Sequence, residues 1–271
     1  MLVVGIQQQY ADLLTRVLKE GVKVNNRTGI DTLSVFAANL QHDLSKGFPA
    51  FTARKLAFRT MFHELIWLLR GDSNVKYLQD NGVKIWDDWA DENGDIGPSY
   101  PTQWRAFPNY EGGAVDQVAN VVRNLKTNPT SRRHIVCAWN PAMESKMVLP
   151  SCHSFYAFYA DDGKLSCHLT QRSGDIPLGI FFNVPSYCLL THLIANIVGM
   201  EVGKFSHTII NAHIYVNQIK GVEEYLSREP LELPELWVDP NLDNIDDVTI
   251  DSAKLIDYNF VTPQIKFPVA I

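Results

Sequence analysis

Apolar residues recur at Ile6, Tyr10, Leu13, Leu14, Val17 and Leu18 within "IQQQYADLLTRVLKEG". That spacing follows the turn of a helix with one apolar stripe, and Gly21 marks its stop. "LAFRTMFHELIWLLRGD" predicts a second, buried helix ending near Gly71, and "VDQVANVVRNLKTNP" a third. The second half of "SRRHIVCAW" reads as a strand. "SFYAFYADDGKLSCHLTQRS" has two β-rich runs around Asp-Asp-Gly, the pattern of a hairpin. "PSYCLLTHLIANIVGM" predicts a fourth, mostly apolar helix. "NAHIYVNQIKGVEEYLSREP" predicts a fifth, ended by Pro230, with His213 and Tyr215 at its start. Helices and strands are interspersed, and the hairpin makes part of the sheet antiparallel. No repeat, linker or low-complexity segment divides the chain. The expected class is α/β, or α+β, with one sizeable mixed sheet in a single domain spanning residues 1–271.

Composition narrows the function classes. With 46% hydrophobic residues among 271, the chain can bury a large core. A net charge of −6 and a pI near 5.7 make it a poor wrapper of nucleic-acid backbone, so no nucleic-acid partner is expected. An anionic ligand must then be met by a local basic cluster. "MLVVGIQQQYADLL" lacks a basic region and a cleavage pattern, so no signal peptide is expected. The best candidate span, "YCLLTHLIANIVGM", is too short and too polar for a bilayer, so no membrane is expected. The four cysteines, at 137, 152, 167 and 188, form no CxxC pair. No metal is expected, and the reading is of reduced thiols in a cytoplasmic protein.

Several clusters carry candidate chemistry. Arg27 lies in the polar turn "NNRTG", Arg132 and Arg133 precede a strand, and Arg172 adjoins Ser173 in "QRSGD" at a strand end. Guanidinium groups suit phosphate because their planar donors pair two oxygens, although single loop arginines are usually just solvated. Cys152 in "LPSCH" is either a buried thiol or a nucleophile. A thiolate needs nearby cations, and Arg172 from the neighbouring strand suits that role as well as His153, whose side chain would face the other way on a strand. Asn183 in "FFNVPSY" is either a helix cap or a reader of a uracil-like ring edge, since its carbonyl and NH2 match an adjacent donor and acceptor. His213 and Tyr215 either hold a sugar hydroxyl or simply pack. Glu64, inside the apolar "FHELIW", is a proton-transfer candidate or a satisfied structural carboxyl. "IWDDWADENGDIGPSY" supplies flat rings for a flat ligand and ends at Tyr100.

Taken together, these motifs resemble the thymidylate synthase family of the folate-dependent, cysteine-nucleophile type. The likeness runs nearly end to end, through "NNRTG", "GFPAFTARK", "HELIWLLRGDSN", "SRRHIVCAWN", "LPSCH", "GKLSCHLTQRSGDIPLG", "FFN", "AHIYVNQI", "LSREP" and "PVAI". The resemblance implies a large mixed sheet packed with helices and a sheet-to-sheet homodimer. It implies dUMP as substrate and methylene-tetrahydrofolate as co-substrate. Cys152 would attack carbon six of the pyrimidine. Arg27, Gln171, Arg172 and Ser173 would hold the nucleotide, and Arg132 and Arg133 would reach the partner's site. Asn183 would read the base, and His213 and Tyr215 would bind the deoxyribose. Glu64, Tyr100, His153 and Asp175 would serve the proton transfers and the folate. Arg54, Ile85, Trp86, Trp89, Leu149, Leu178, Gly179 and Phe182 would line the folate site, closed by Val269, Ala270 and Ile271.

The chain departs from the family pattern in places. Thr52, Ala53 and Arg54 stand where Thr-Thr-Lys is usual, Ser151 and Phe181 each replace a proline, and Ile210-Asn211 replaces Gly-Asp. Pro177 beside Leu178 is uncommon. These departures keep a second activity in view, the hydroxymethylation of a pyrimidine nucleotide, in which water rather than hydride reaches the methylene. Asn183 argues against a cytosine-specific version, and Trp86 and the complete tail argue for methylation.

Overall fold

The computed structural model describes residues 5–270. Helix α1, Ile6–Glu20, buries Ile6, Tyr10, Leu13, Leu14 and Val17, the stripe that the spacing predicts. Strands β1, Val22–Val24, and β2, Thr32–Asp43, follow. Helix α2, Phe58–Arg70, ends where Gly71 turns left-handed at φ 72°. Short helices α3, Lys76–Asp80, and α4, Tyr100–Arg105, flank the tryptophan-rich loop. A two-strand ribbon, β3 (Phe107–Pro108) with β4 (Ala114–Val115), leads into α5, Gln117–Thr127. Asp116 caps α5 by accepting from the Ala119 N–H at 2.9 Å. Strand β5, Ile135–Cys137, comes next.

The expected hairpin is β6, His153–Asp161, and β7, Lys164–Asp175. Its two-residue turn puts Asp162 at φ 47° and Gly163 at φ 72°, the pair of positive φ values that matches strand twist. A π-helical turn, Ile176–Ile180, leads into α6, Phe181–Val198, then β8, Glu201–Tyr215, and α7, Ile219–Leu226. A small antiparallel pair, β9 (Glu235–Val238) and β10 (Ala253–Ile256), precedes the C-terminal segment. The main sheet runs β1-β2-β8-β7-β6-β5, antiparallel except for the β7–β8 pair. Those two strands are parallel because α6 carries the chain back between them.

Two sequence expectations are corrected here. The fifth helix starts only at Ile219; Asn211–Tyr215 is the end of β8. His213 pairs with Ser34 and Tyr215 with Thr32, so strand pairing overrides the helical spacing read across that stretch. The apolar helix also proves longer than expected. Ile176–Val198, 23 residues, is long and apolar enough to cross a bilayer by length and composition, yet 72% of its most apolar window is buried inside the protein. It is therefore accounted for as the central core helix, apolar all round because it is covered all round.

Three neighbouring strands change their in-out alternation at one level. Phe36 and Ala37 on β2, Ile210 and Asn211 on β8, and Arg172 and Ser173 on β7 each interrupt a run of alternately buried positions. Phe36 and Ser173 both pair with Asn211, so the three breaks lie side by side. Ala37 takes up the irregularity with φ 53°. Such a kink re-aims side chains, and here it turns Arg172 towards the loop that carries Cys152.

Candidate active site

Cys152 sits immediately before β6, half-buried and free. Two neighbours fix its loop. Its backbone N–H donates to Tyr100 Oη at 2.5 Å, and its carbonyl accepts from the Arg172 N–H at 2.9 Å. The Arg172 side chain comes from the next strand. Its Nε donates to the Ser151 carbonyl at 2.9 Å and a terminal nitrogen to the Pro150 carbonyl at 2.7 Å. The guanidinium thus clamps the two residues that precede Cys152. Tyr100 also interacts electrostatically with Cys152 and Arg172, and burial holds its phenol well above the ordinary value.

His153 is held by partners other than the thiol. Its Nδ1 shares a hydrogen bond of 3.1 Å with Tyr187 Oη, and its ring bonds the Asn183 side chain. Desolvation pushes it down to about 4, so the ring is neutral. Asn183, in the first turn of α6, accepts from Gln171 Nε2 at 3.1 Å through Oδ1.

Glu64 projects from α2 and accepts from Trp86 Nε1 at 2.7 Å. Burial pushes its carboxyl up to about 7, against the opposing pull of the Trp86 hydrogen bond. The rings of Trp86, Trp89 and Tyr100 form a wall, with Trp86 5.9 Å from each of the other two. Ile85 lies exposed at its edge and Leu149 is half-buried. Asp175 ends β7 and caps the π-helical turn by accepting from the Leu178 N–H at 3.2 Å. Burial raises it to about 6, moderated by Gln218, Leu178 and Arg54. Gly179 approaches Asn183 Oδ1, with room for little more than a methyl between them.

The deoxyribose and phosphate candidates gather from other elements. His213 Nδ1 meets Asn211 Oδ1 at 2.8 Å, and Asn211 Nδ2 donates to Ser34 Oγ at 3.0 Å. The His213 ring is 5.4 Å from that of Tyr215. Tyr215 in turn interacts with Arg27, Thr28, Asp175 and Cys152, which ties the exposed turn at Arg27 to the thiol. Asn211, which stands where the family pattern has a carboxylate, meets His213 with a neutral amide oxygen.

Not every expected residue joins this group. Arg132 and Arg133 are exposed before β5, and among the described residues no hydrogen bond or ion pair links either guanidinium to the rest. Arg54 is only 5% exposed; it stacks on Phe181 and donates to the Pro177 carbonyl at 2.6 Å. Phe182 is half-buried beside it and Leu178 is half-buried in the turn. The tail is laid against this region. Phe267 stacks 4.9 Å from the Arg54 guanidinium, and the Pro268 carbonyl accepts from Gln218 Nε2 at 3.2 Å. Val269 is 52% exposed, Ala270 is half-buried, and Ile271 lies outside the described residues.

Sequence reasoning missed Gln218, Tyr187 and His207. Gln218 is 1% exposed and donates from one nitrogen to both Asp175 and the tail. His207 follows Phe205 and precedes Ile209 on the buried face of β8, and that alternation was a signal available in the sequence.

Fold and site describe an α/β protein in which an arginine on one strand of a mixed sheet holds the loop before a cysteine, with two further carboxyls, Glu64 and Asp175, pushed up by burial. The family model described as thymidylate synthase matches residues 8–271. The chain belongs to the thymidylate synthase family. It is therefore an enzyme of one-carbon transfer to a pyrimidine deoxynucleotide, with a folate as co-substrate.

Proposed function

We propose that the protein catalyses the reductive methylation of dUMP to dTMP, with methylene-tetrahydrofolate giving both the carbon and the hydride. The Cys152 thiolate adds to carbon six of the ring, and carbon five becomes an enolate carbon that attacks the methylene. A base removes the carbon-five proton and tetrahydrofolate departs, leaving an exocyclic methylene. Hydride from tetrahydrofolate then gives the methyl group and dihydrofolate, and the thiolate is expelled. Arg172 stabilises the thiolate and, with Arg27 and Ser173, the phosphate. Asn183 reads the uracil edge, His213 and Tyr215 take the sugar hydroxyl, and Glu64 with Tyr100 handles the protons. Asp175 receives the pterin.

The observation that carries the methylation reading is the contact of Trp86 Nε1 with Glu64 at 2.7 Å. It locks an aromatic wall over the proton-transfer carboxyl, and a dry site favours hydride over water at the methylene. We further propose a cytoplasmic homodimer, in which Arg132 and Arg133 serve the partner's phosphate. Phe36, 80% exposed on the sheet, and Ile210 on the neighbouring strand support a sheet-to-sheet contact.

Mass spectrometry of the nucleotide after incubation with dUMP and methylene-tetrahydrofolate tests the reaction. Thymidylate with dihydrofolate is the expected result. Hydroxymethyl-dUMP without dihydrofolate would instead assign a hydroxymethyltransferase.

A further inference from the structure

The amide of Gln171 is bonded on every side. Its Nε2 donates to the Ser173 carbonyl at 3.0 Å and to Asn183 Oδ1 at 3.1 Å, while its Oε1 accepts from His207 Nε2 at 3.0 Å. A backbone carbonyl only accepts, so the Ser173 contact decides which end of the Gln171 amide faces it. The second Nε2 hydrogen then fixes the Asn183 amide with Oδ1 towards Gln171 and its NH2 turned the other way, and the His153 ring bonds the same side chain. The remaining end, Oε1, needs a donor in a buried setting, and His207 supplies it. That ring is fully buried, and its Nδ1 has no hydrogen-bond partner. Burial also keeps it uncharged, since desolvation holds it well below its ordinary value. A neutral ring that donates through Nε2 is the one state satisfying Gln171.

We propose that His207 is a specificity-determining positioning residue. Through Gln171 it locks Asn183 so that a pyrimidine with a carbonyl at carbon four is accepted and one with an amino group there is refused. This rests on the base-reading role given to Asn183 above. With the relay intact, the Asn183 NH2 meets an acceptor on uracil but another donor on cytosine, and two unpaired buried donors are costly. Without His207, Gln171 Oε1 is buried with no donor. Gln171 is then free to leave its seat, and Asn183 can turn its carbonyl towards an amino group.

Titration calorimetry of the full chain with dUMP and with dCMP, without folate, tests this independently of what the reaction produces. His207→Phe should narrow the preference for dUMP about tenfold. His207→Gln, which restores an N–H at the Nε2 position, should recover most of it. A folded His207→Phe protein with the unaltered ratio would overturn the proposal. Asn183→Asp measured alongside separates the two levels. If it narrows the ratio and His207→Phe does not, the relay is wrong and the base reading stands; if neither does, both fall. Should His207→Phe not fold, nitrogen-15 NMR of the wild-type ring decides: the Nε2–H tautomer supports the relay, and the Nδ1–H tautomer overturns it.

Discussion

The guanidinium of Arg54 lies 3.8 Å over the ring of Phe181 and donates to the Pro177 carbonyl at 2.6 Å. All three residues depart from the usual family pattern, and they meet at one point. They are thus one packing solution rather than three separate changes. The ring in place of a proline gives the cation a face, and the cation fills the space beneath the tail through Phe267.

Arg54 and Phe181 should therefore be energetically coupled. Arg54→Ala leaves the Pro177 carbonyl without this donor and opens a void against two rings, at about 2 kcal/mol or more. A cycle of Arg54→Ala, Phe181→Leu and the double variant in urea denaturation should give a coupling near 1 kcal/mol. Strict additivity would show that the stacking contributes nothing.

Glu64 gives a prediction with a definite sign. Its carboxyl rises from the ordinary 4.5 to about 7 in the folded protein because of burial. The unfolded chain releases this proton first, so folding loses stability as pH climbs from about 4.5 to about 7 and stays lower above that. The span corresponds to up to about 3 kcal/mol. Glu64→Gln keeps an acceptor for Trp86 Nε1 and removes the penalty. The variant should be more stable than wild type at pH 8 and no more stable at pH 4, while turnover drops at least 100-fold, an order expected on losing a proton-transfer group. Denaturant midpoints across pH, with initial rates, check both halves.

These residues also show what the sequence makes legible. The stripe of α1 and the Asp162-Gly163 turn are local, and they were readable because helix and hairpin periods are set by neighbours in the chain. The end of β8 was misread because its partner, β2, lies far back in sequence. Cys152, Arg172 and Asn183 stood out as chemistry-bearing types in short motifs. Gln218 and His207 did not, because a buried amide or ring acquires meaning only from its partner, 43 residues away for Asp175 and 36 for Gln171.

The four cysteines should differ sharply in reactivity. Burial pushes the Cys167 thiol up to about 12 and raises Cys188 well above the ordinary value, so neither is a thiolate at neutral pH. The Cys137 thiol donates to the Trp139 carbonyl at 3.3 Å. Cys152 is only half-buried, and Arg172 binds the carbonyl of the residue before it. Brief iodoacetamide treatment at pH 7 followed by peptide mass mapping should find label on Cys152 first, and dUMP should slow it. Equal labelling of Cys137 would remove the distinction drawn for Cys152.

Gln218 should link the tail to Asp175. One nitrogen serves both, donating to Asp175 Oδ2 at 2.9 Å and to the Pro268 carbonyl at 3.2 Å. The hydrogen bond favours the ionised carboxyl, holding Asp175 near 6 against burial. Gln218→Leu removes that support, so the carboxyl must rise further and be more protonated at pH 7. The tail loses an anchor in the same step. Folate KM should rise about tenfold, dUMP affinity should stay within twofold, and the acid limb of kcat/KM for folate should move to higher pH. The direction of that limb is the discriminating readout. A tail merely loosened would raise KM at every pH and leave the limb in place, whereas a carboxyl stripped of its donor shifts it.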